Sequence, residues 1–197
     1  MSTIAENIAN IRARMNEAAK KAGRDPSEIL LCAATKMNDA DRVKEAVFSI
    51  IQFEIEGRRV LDLFAGSGQL GIEALSRGAD SATFVDMSKD SLATVKYNLE
   101  HTKLGDRAKV IQTDALSFLK LTKDRFDIVF IDPPYASSLV ADSMKLLSDA
   151  VADGGCAVCE TPVDLELPES FGELKLYRSY RYGKIKITVY RKEGKDA

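Results

Sequence analysis

Four aspartates, Asp62, Asp86, Asp114 and Asp132, each stand at or near the end of a short apolar run. A carboxylate there accepts hydrogen bonds from hydroxyl, amino or ammonium groups, and in an open α/β sheet the carboxyl edge is where ligands sit. The stretch Phe126 to Tyr135, FDIVFIDPPY, adds two prolines and a tyrosine to its carboxylate. The prolines fix φ and remove two N–H donors, so the carbonyls of Asp132, Pro133 and Pro134 can accept from a ligand, beside the aromatic face of Tyr135. Such a pocket suits an amino group. A second stretch, VLDLFAGSGQLG from Val60 to Gly71, reads as a strand entering a glycine-rich turn that opens a helix. Gly66, Gly68 and Gly71 allow close backbone approach, and the helix start offers N–H groups to an anion; the same order would suit a dinucleotide enzyme. Asp86 lies 24 residues beyond Asp62, where a carboxylate can accept two ribose hydroxyls. Asp114, in QTDA, could address an adenine amino group. Each aspartate alone could equally be a helix cap, but four along one sheet edge point to a site.

The elements that position these residues alternate. Strands are expected at Val60 to Phe64, Ser81 to Asp86, Ala108 to Gln112, Asp127 to Ile131 and Cys156 to Glu160, with helices at Gly71 to Arg77, Ser91 to His101, Ala115 to Leu121 and Ser138 to Ala152. Strands separated by helices form parallel βαβ units, and right-handed crossovers put helices on both faces. Glu173 to Tyr180 and Lys184 to Arg191, around Tyr182-Gly183, alternate as an antiparallel hairpin closing the sheet. This is the pattern of class I methyltransferases: an α/β, Rossmann-like, mostly parallel doubly wound sheet. Ahead of it, Ile4, Ile8, Ile11 and Met15 mark a helix from Thr3 to Ala22, Ile29 to Thr35 reads as a buried strand, and Val43, Val47, Ile50 and Ile51 give one face to a second helix, begun at Asn38-Asp39 and closed by Gly57.

Composition sets bounds. With 197 residues, 45% hydrophobic and 29% charged, the chain can bury a full core, and no apolar run approaches the roughly 20 residues of a membrane span. The start lacks a secretory apolar region, so the protein is expected in the cytoplasm. The net charge of -2 gives no global argument for nucleic acid, but eight Lys/Arg and one Glu lie between Lys175 and Lys195, a phosphate-contacting surface or a solvated hairpin face. Three cysteines form no disulfide framework; Cys156 and Cys159, three apart in a strand, point to opposite faces and belong to the core. His101, the single histidine, is expected to face solvent. Tyr177, Tyr180, Tyr182 and Tyr190 could stack on bases, but cross-strand packing is the expectation.

Taken together, VLDLFAGSGQLGIEALSRGA, FVD, TDA, FDIVFIDPPY and RYGKIKITVYR closely resemble the RsmD-type small-subunit ribosomal RNA guanine-N2 methyltransferases, from about Asp41 to Arg191. The resemblance implies S-adenosyl-L-methionine as cofactor, no metal, and ribosomal RNA or the small ribosomal subunit as partner. By motif, it assigns Asp62, Ala65, Gly66, Ser67 and Gly68 to the methionine part of the cofactor, Asp86 to the ribose, Met87 to the adenine face, and Asp114 with Ala115 to the adenine edge. Asp132, Pro133, Pro134 and Tyr135 would form the catalytic pocket, with Asp132 also facing the cofactor. The same Asp-Pro-Pro-Tyr pocket serves DNA amine and protein glutamine-amide methyltransferases, so those substrates stay open.

Residues 1–40 differ from that family. IAENIANIRARMNEAAKKAGRDPSEILLCAATK resembles the start of YggS-type pyridoxal-phosphate homeostasis proteins, in which the lysine matching Lys36 holds the cofactor. No further barrel strands follow, so Lys36 is expected to be a strand-end lysine and not a pyridoxal-phosphate site. The chain therefore reads as a chimera of a grafted segment, 1–40, and a methyltransferase domain, 41–197. A fusion that binds the cofactor but has lost productive RNA docking is the alternative.

Overall fold

The computed structural model describes residues 4–25, 39–133 and 137–194. Internal contacts divide the chain between Asn38 and Asp39. In the first unit, helix α1 (Ile4–Lys21) ends where Gly23 takes a φ of 68° and the Arg24 N–H reaches the Ala19 carbonyl at 3.0 Å, which satisfies carbonyls left open by the last turn. The expected strand Ile29 to Thr35, together with Cys32 and Lys36, lies outside the described residues.

The second unit begins with helix α2 (Asp39–Ile51) and alternates as β1 (Arg59–Asp62), α3 (Gln69–Ser76), β2 (Ser81–Asp86), α4 (Lys89–Thr102), β3 (Ala108–Gln112), α5 (Ala115–Leu121), β4 (Phe126–Ile131) and α6 (Ser137–Leu147). It closes with β5 (Val151–Pro162), β6 (Ser170–Phe171), β7 (Leu174–Tyr182) and β8 (Ile185–Lys192). The sheet order is β3-β2-β1-β4-β5-β8-β7-β6. Strands β1 to β5 pair in parallel, whereas β5 with β8, β8 with β7 and β7 with β6 pair antiparallel. The expected doubly wound sheet with its closing hairpin is thus the observed one.

Strand alternation sorts side chains into two buried layers. Val60, Ala82, Phe84, Ile128, Phe130, Cys156 and Val158 pack with Val43, Val47 and Phe48 of α2, Ala74 and Leu75 of α3, and Leu92 and Val95 of α4. Leu61, Val85, Val129, Ile131, Ala157 and Cys159 face Phe118 of α5 and Met144 and Leu147 of α6. Cys156 and Cys159 are therefore core residues on opposite faces, as strand geometry requires.

Several boundaries shift by one or two residues from expectation, and two differ by more. Helix α6 stops at Leu147, and Val151 and Ala152, which sequence alone assigns to the helix, instead open β5, with Val151 beside Phe126. The Phe126 N–H donates to the Ala150 carbonyl at 2.8 Å, so pairing overrides local helix preference. Helix α2 ends six residues before Gly57, since Glu54 turns outward to meet Arg191 of β8 in a two-pronged ion pair while Ile55 turns into the core.

Candidate functional site

The glycine-rich turn follows β1 directly. Gly68 takes a φ of 78°, a conformation that costs other residues, and caps α3. Gly71 lies against the Phe84 ring of β2: a Cβ on it would come within 2.3 Å of the ring. The third glycine is thus required for helix-on-strand packing and not for contact with a ligand. Asn98 of α4 donates to the Ser67 carbonyl at 2.9 Å and ties the turn to the neighbouring helix.

Alternation places Asp62, Asp86, Asp132 and Glu160 on the side of the sheet covered by α2, α3 and α4, in line with Val60, Phe84, Phe130 and Val158. The register fixes their heights. Asp62 pairs with Phe84 and Phe130, so it stands two residues deeper than Asp86 and Asp132; Ile131 pairs with Cys159, so Asp132 and Glu160 follow at one level. Depth decides their chemistry. Asp62 is 3% exposed and accepts the Gly71 N–H at 3.0 Å; burial, reinforced by Asp132 and Asp86, pushes its carboxyl up to about 7. Asp86 is half-buried and already accepts two backbone N–H groups, from Gly66 at 2.9 Å and Ser88 at 2.8 Å. Each of its oxygens keeps a second lone pair for a ligand.

Asp132 is exposed by surface area, although crowding around its carboxyl raises its pKa. A ligand that covers the carboxyl would desolvate it further. Glu160 is half-buried, and burial together with the Asp132 charge pushes it up to about 7.

A cleft of about 490 Å³ joins these groups, lined by Asp62, Ala65, Gly66, Ser67, Asp86, Met87 and Asp132 among the residues expected from sequence. Lys44 of α2, Gln69, Ser88, Ser91 and Glu160 line it as well, and sequence reasoning missed them. Glu160 carried the signal that flagged the aspartates, an acid ending an apolar strand. Lys44 had none, because α2 joins the cleft only through tertiary packing. Met87 is 75% exposed, an apolar side chain held open at the rim.

Three expectations place differently. Asp114 does not line the cleft; it caps α5, accepting from the Ser117 N–H at 2.9 Å, and hydrogen bonds from Ser117 lower its pKa. Ala115 beside it is buried, and so is Gly68, where a Cβ would meet Val95, Ile72 and Phe84. Pro133 follows Asp132 but is not among the residues that line the cleft, and Pro134 and Tyr135 lie outside the described residues. Among the described residues no group of acids, cysteines and histidine is placed to hold a metal ion, and no helix is long and apolar enough to cross a membrane.

A second cleft, at the opposite end of the strands, is lined by Arg59, Lys109, Asp124 and Phe126, among others. Within it Arg59 pairs with Asp127 at 3.1 Å and Lys109 with Asp124 at 3.3 Å. His101 is exposed, with Nδ1 at 2.8 Å from the Tyr97 carbonyl, as its expected solvent position requires. Of the hairpin tyrosines only Tyr190 is buried, donating to the Pro168 carbonyl at 2.6 Å, whereas Tyr177 is exposed with the Arg191 guanidinium 4.4 Å from its ring centre.

A parallel sheet with an antiparallel closing hairpin, a glycine turn after its first strand and carboxylates at the strand ends define the class I S-adenosylmethionine-dependent methyltransferase fold. Residues 38–191 match the family described as Conserved hypothetical protein 95, and the chain belongs to that family. It is 39% identical over 159 residues to the Bacillus subtilis protein YlbH, covering 78% of this chain and 86% of that one. It is 36% identical over 155 residues to the ribosomal RNA small subunit methyltransferase D of Escherichia coli, covering 78% of each. The solved structure of Escherichia coli yhhF superposes with a TM-score of 0.74 at 33% identity, covering 84% of this chain and 92% of that one.

Proposed function

We propose that this chain transfers a methyl group from S-adenosylmethionine to the exocyclic N2 amine of a guanine in small-subunit ribosomal RNA. The observation that carries the reading is the placement of Asp62, Asp86 and Asp132 around one cleft beside the glycine turn, in a chain with 36% identity to a small-subunit ribosomal RNA methyltransferase. The residues fit the cofactor: carboxylates complement an ammonium and a sulfonium, Asp86 has lone pairs for ribose hydroxyls, and exposed Met87 offers an apolar surface to a base. Asp62, Ala65, Gly66 and Ser67 would hold the methionine part. When bound, the cofactor supplies an activated methyl group.

The chain's own residues do the rest. An aromatic amine is a poor nucleophile, because its lone pair is delocalised into the ring. Asp132 and the Pro133 carbonyl accept its two N–H bonds and hold it in line, and the resemblance assigns Tyr135 to stack on the base. Asp132 then takes the proton as the N–C bond forms. The base must be unpaired or flipped to enter. The exposed Arg178, Arg181 and Lys184 of the β7–β8 hairpin supply a phosphate-facing surface for ribosomal RNA, and the cytoplasm is the compartment this substrate implies.

Calorimetric titration with S-adenosylmethionine, followed by transfer of labelled methyl to unmodified small subunits, tests the reading. Asp132→Ala should lower turnover by about 100-fold while changing cofactor affinity little. A folded sample that binds no S-adenosylmethionine, or that methylates DNA or a protein amide instead, overturns it.

We further infer that residues 1–40 form a unit added ahead of the methyltransferase domain, 41–197, and derived from a YggS-like start. The family match beginning at residue 38 and the division of contacts at Asn38 support this reading.

A further inference from the structure

We propose that Glu160 determines base specificity: its carboxylate accepts the N1–H of the target guanine, while Asp132 and the Pro133 carbonyl accept the N2 amine. The inference rests on the guanine-N2 reading above and deepens it. The geometry is that of two parallel neighbours. Ile131 of β4 pairs with Cys159 of β5, so positions 132 and 160 are the next rung, on strands about 4.8 Å apart. Both side chains follow residues buried under α2 to α4, Phe130 and Val158, so they leave the sheet on the same face, and both line the same cleft. Among the described residues no hydrogen bond or ion pair occupies the Glu160 carboxylate, although it is half-buried and stands beside another acid. Two acids side by side repel, and that arrangement is costly unless a ligand brings donors to both.

Base chemistry selects the ligand. On its Watson–Crick edge guanine presents three adjacent N–H bonds, one on N1 and two on N2. Adenine and cytosine present an amine beside a bare ring nitrogen. In the same pose that lone pair would face the Glu160 carboxylate, leaving a buried acceptor unpaired against another acceptor. A glutamine amide likewise offers no third N–H. Three acceptors in a row, Glu160, Asp132 and the Pro133 carbonyl, therefore match guanine and reject the other amines that an Asp-Pro-Pro pocket could methylate.

The test is nucleoside binding to the full-length protein, with and without S-adenosylhomocysteine, using three probes. Guanosine has both donors, inosine keeps N1–H but lacks the amine, and 2-aminopurine riboside keeps the amine but lacks N1–H. Glu160→Met should weaken guanosine and inosine by about tenfold and leave 2-aminopurine riboside unchanged. Asp132→Asn should weaken guanosine and 2-aminopurine riboside and spare inosine. Glu160→Gln, which retains a carbonyl acceptor and little alters packing, should fall between wild type and Glu160→Met with the same selectivity. Equal loss on all three probes, no loss on any, or a wild type that binds none of them overturns the assignment. Because the readout is binding alone, it can fail while methyl transfer succeeds, and the methyltransferase reading can fail while this discrimination holds.

Discussion

Asp62 shows how one rung of depth changes a carboxylate. It ends β1 as Asp86 ends β2, yet it is 3% exposed and held protonated up to about 7. In the unfolded chain it ionises near 3.8. A raised folded pKa means that its contribution is fully present below that value, is lost as pH rises between 3.8 and about 7, and is absent above. One pKa unit is about 1.4 kcal/mol, which bounds the penalty at about 4 kcal/mol. Asp62→Asn keeps an acceptor for the Gly71 N–H and removes the buried charge. Thermal unfolding should show the variant more stable than wild type at pH 8, with the gain shrinking to nothing near pH 4; a gain independent of pH would contradict this. The positions of these acids were legible in sequence because each ends an apolar run. Their states were not: Asp62 and Asp132 are separated by register, and the Asp114 carboxylate is committed to capping α5.

At the scale of elements, strands and helices bounded by strong punctuation were read correctly from sequence. β2, β3 and α5 occupy the expected residues, with Gly78 and Asp80 ahead of β2, Gly105 and Asp106 ahead of β3, and Asp114 between β3 and α5. Where an apolar run crosses a boundary, as at Ala150 to Ala152, only the partner strand decides. The GSGxxG turn was visible too, and the resemblance assigned Gly66 and Gly68 to the cofactor while giving Gly71 no role beyond close backbone approach. Gly71 serves Phe84. Gly71→Ala should therefore destabilise the fold by about 1–3 kcal/mol in urea denaturation, through overpacking. Adding Phe84→Leu should recover part of that loss. A Gly71→Ala protein of unchanged stability would show that the ring gives way at no cost.

For the whole molecule, the sequence showed a doubly wound sheet but not which strands adjoin; the order β3-β2-β1-β4-β5-β8-β7-β6 arises from crossovers that no local pattern encodes. The unit from Asp39 onward contains the sheet, both buried layers and the entire described cleft. A chain of residues 39–197 should then unfold cooperatively and bind S-adenosylmethionine within about threefold of the full-length protein, as read by calorimetry. A truncated chain that fails to fold would show that the first unit is integral to the domain and not an addition.

The two buried thiols of β5 belong to different layers: Cys156 lies in the one that includes α2, α3 and α4, and Cys159, 3.5 Å from Met144 of α6, in the one that includes α5 and α6. Burial pushes both up to about 12, so neither reacts while its layer is closed. Each sulfur is therefore a stopwatch for one side of the sheet. A thiol reagent reaches Cys156 when the cofactor-side helices lift and Cys159 when the opposite pair does, so the ratio of the two labelling rates tells whether the molecule opens like a book or sheds one cover at a time.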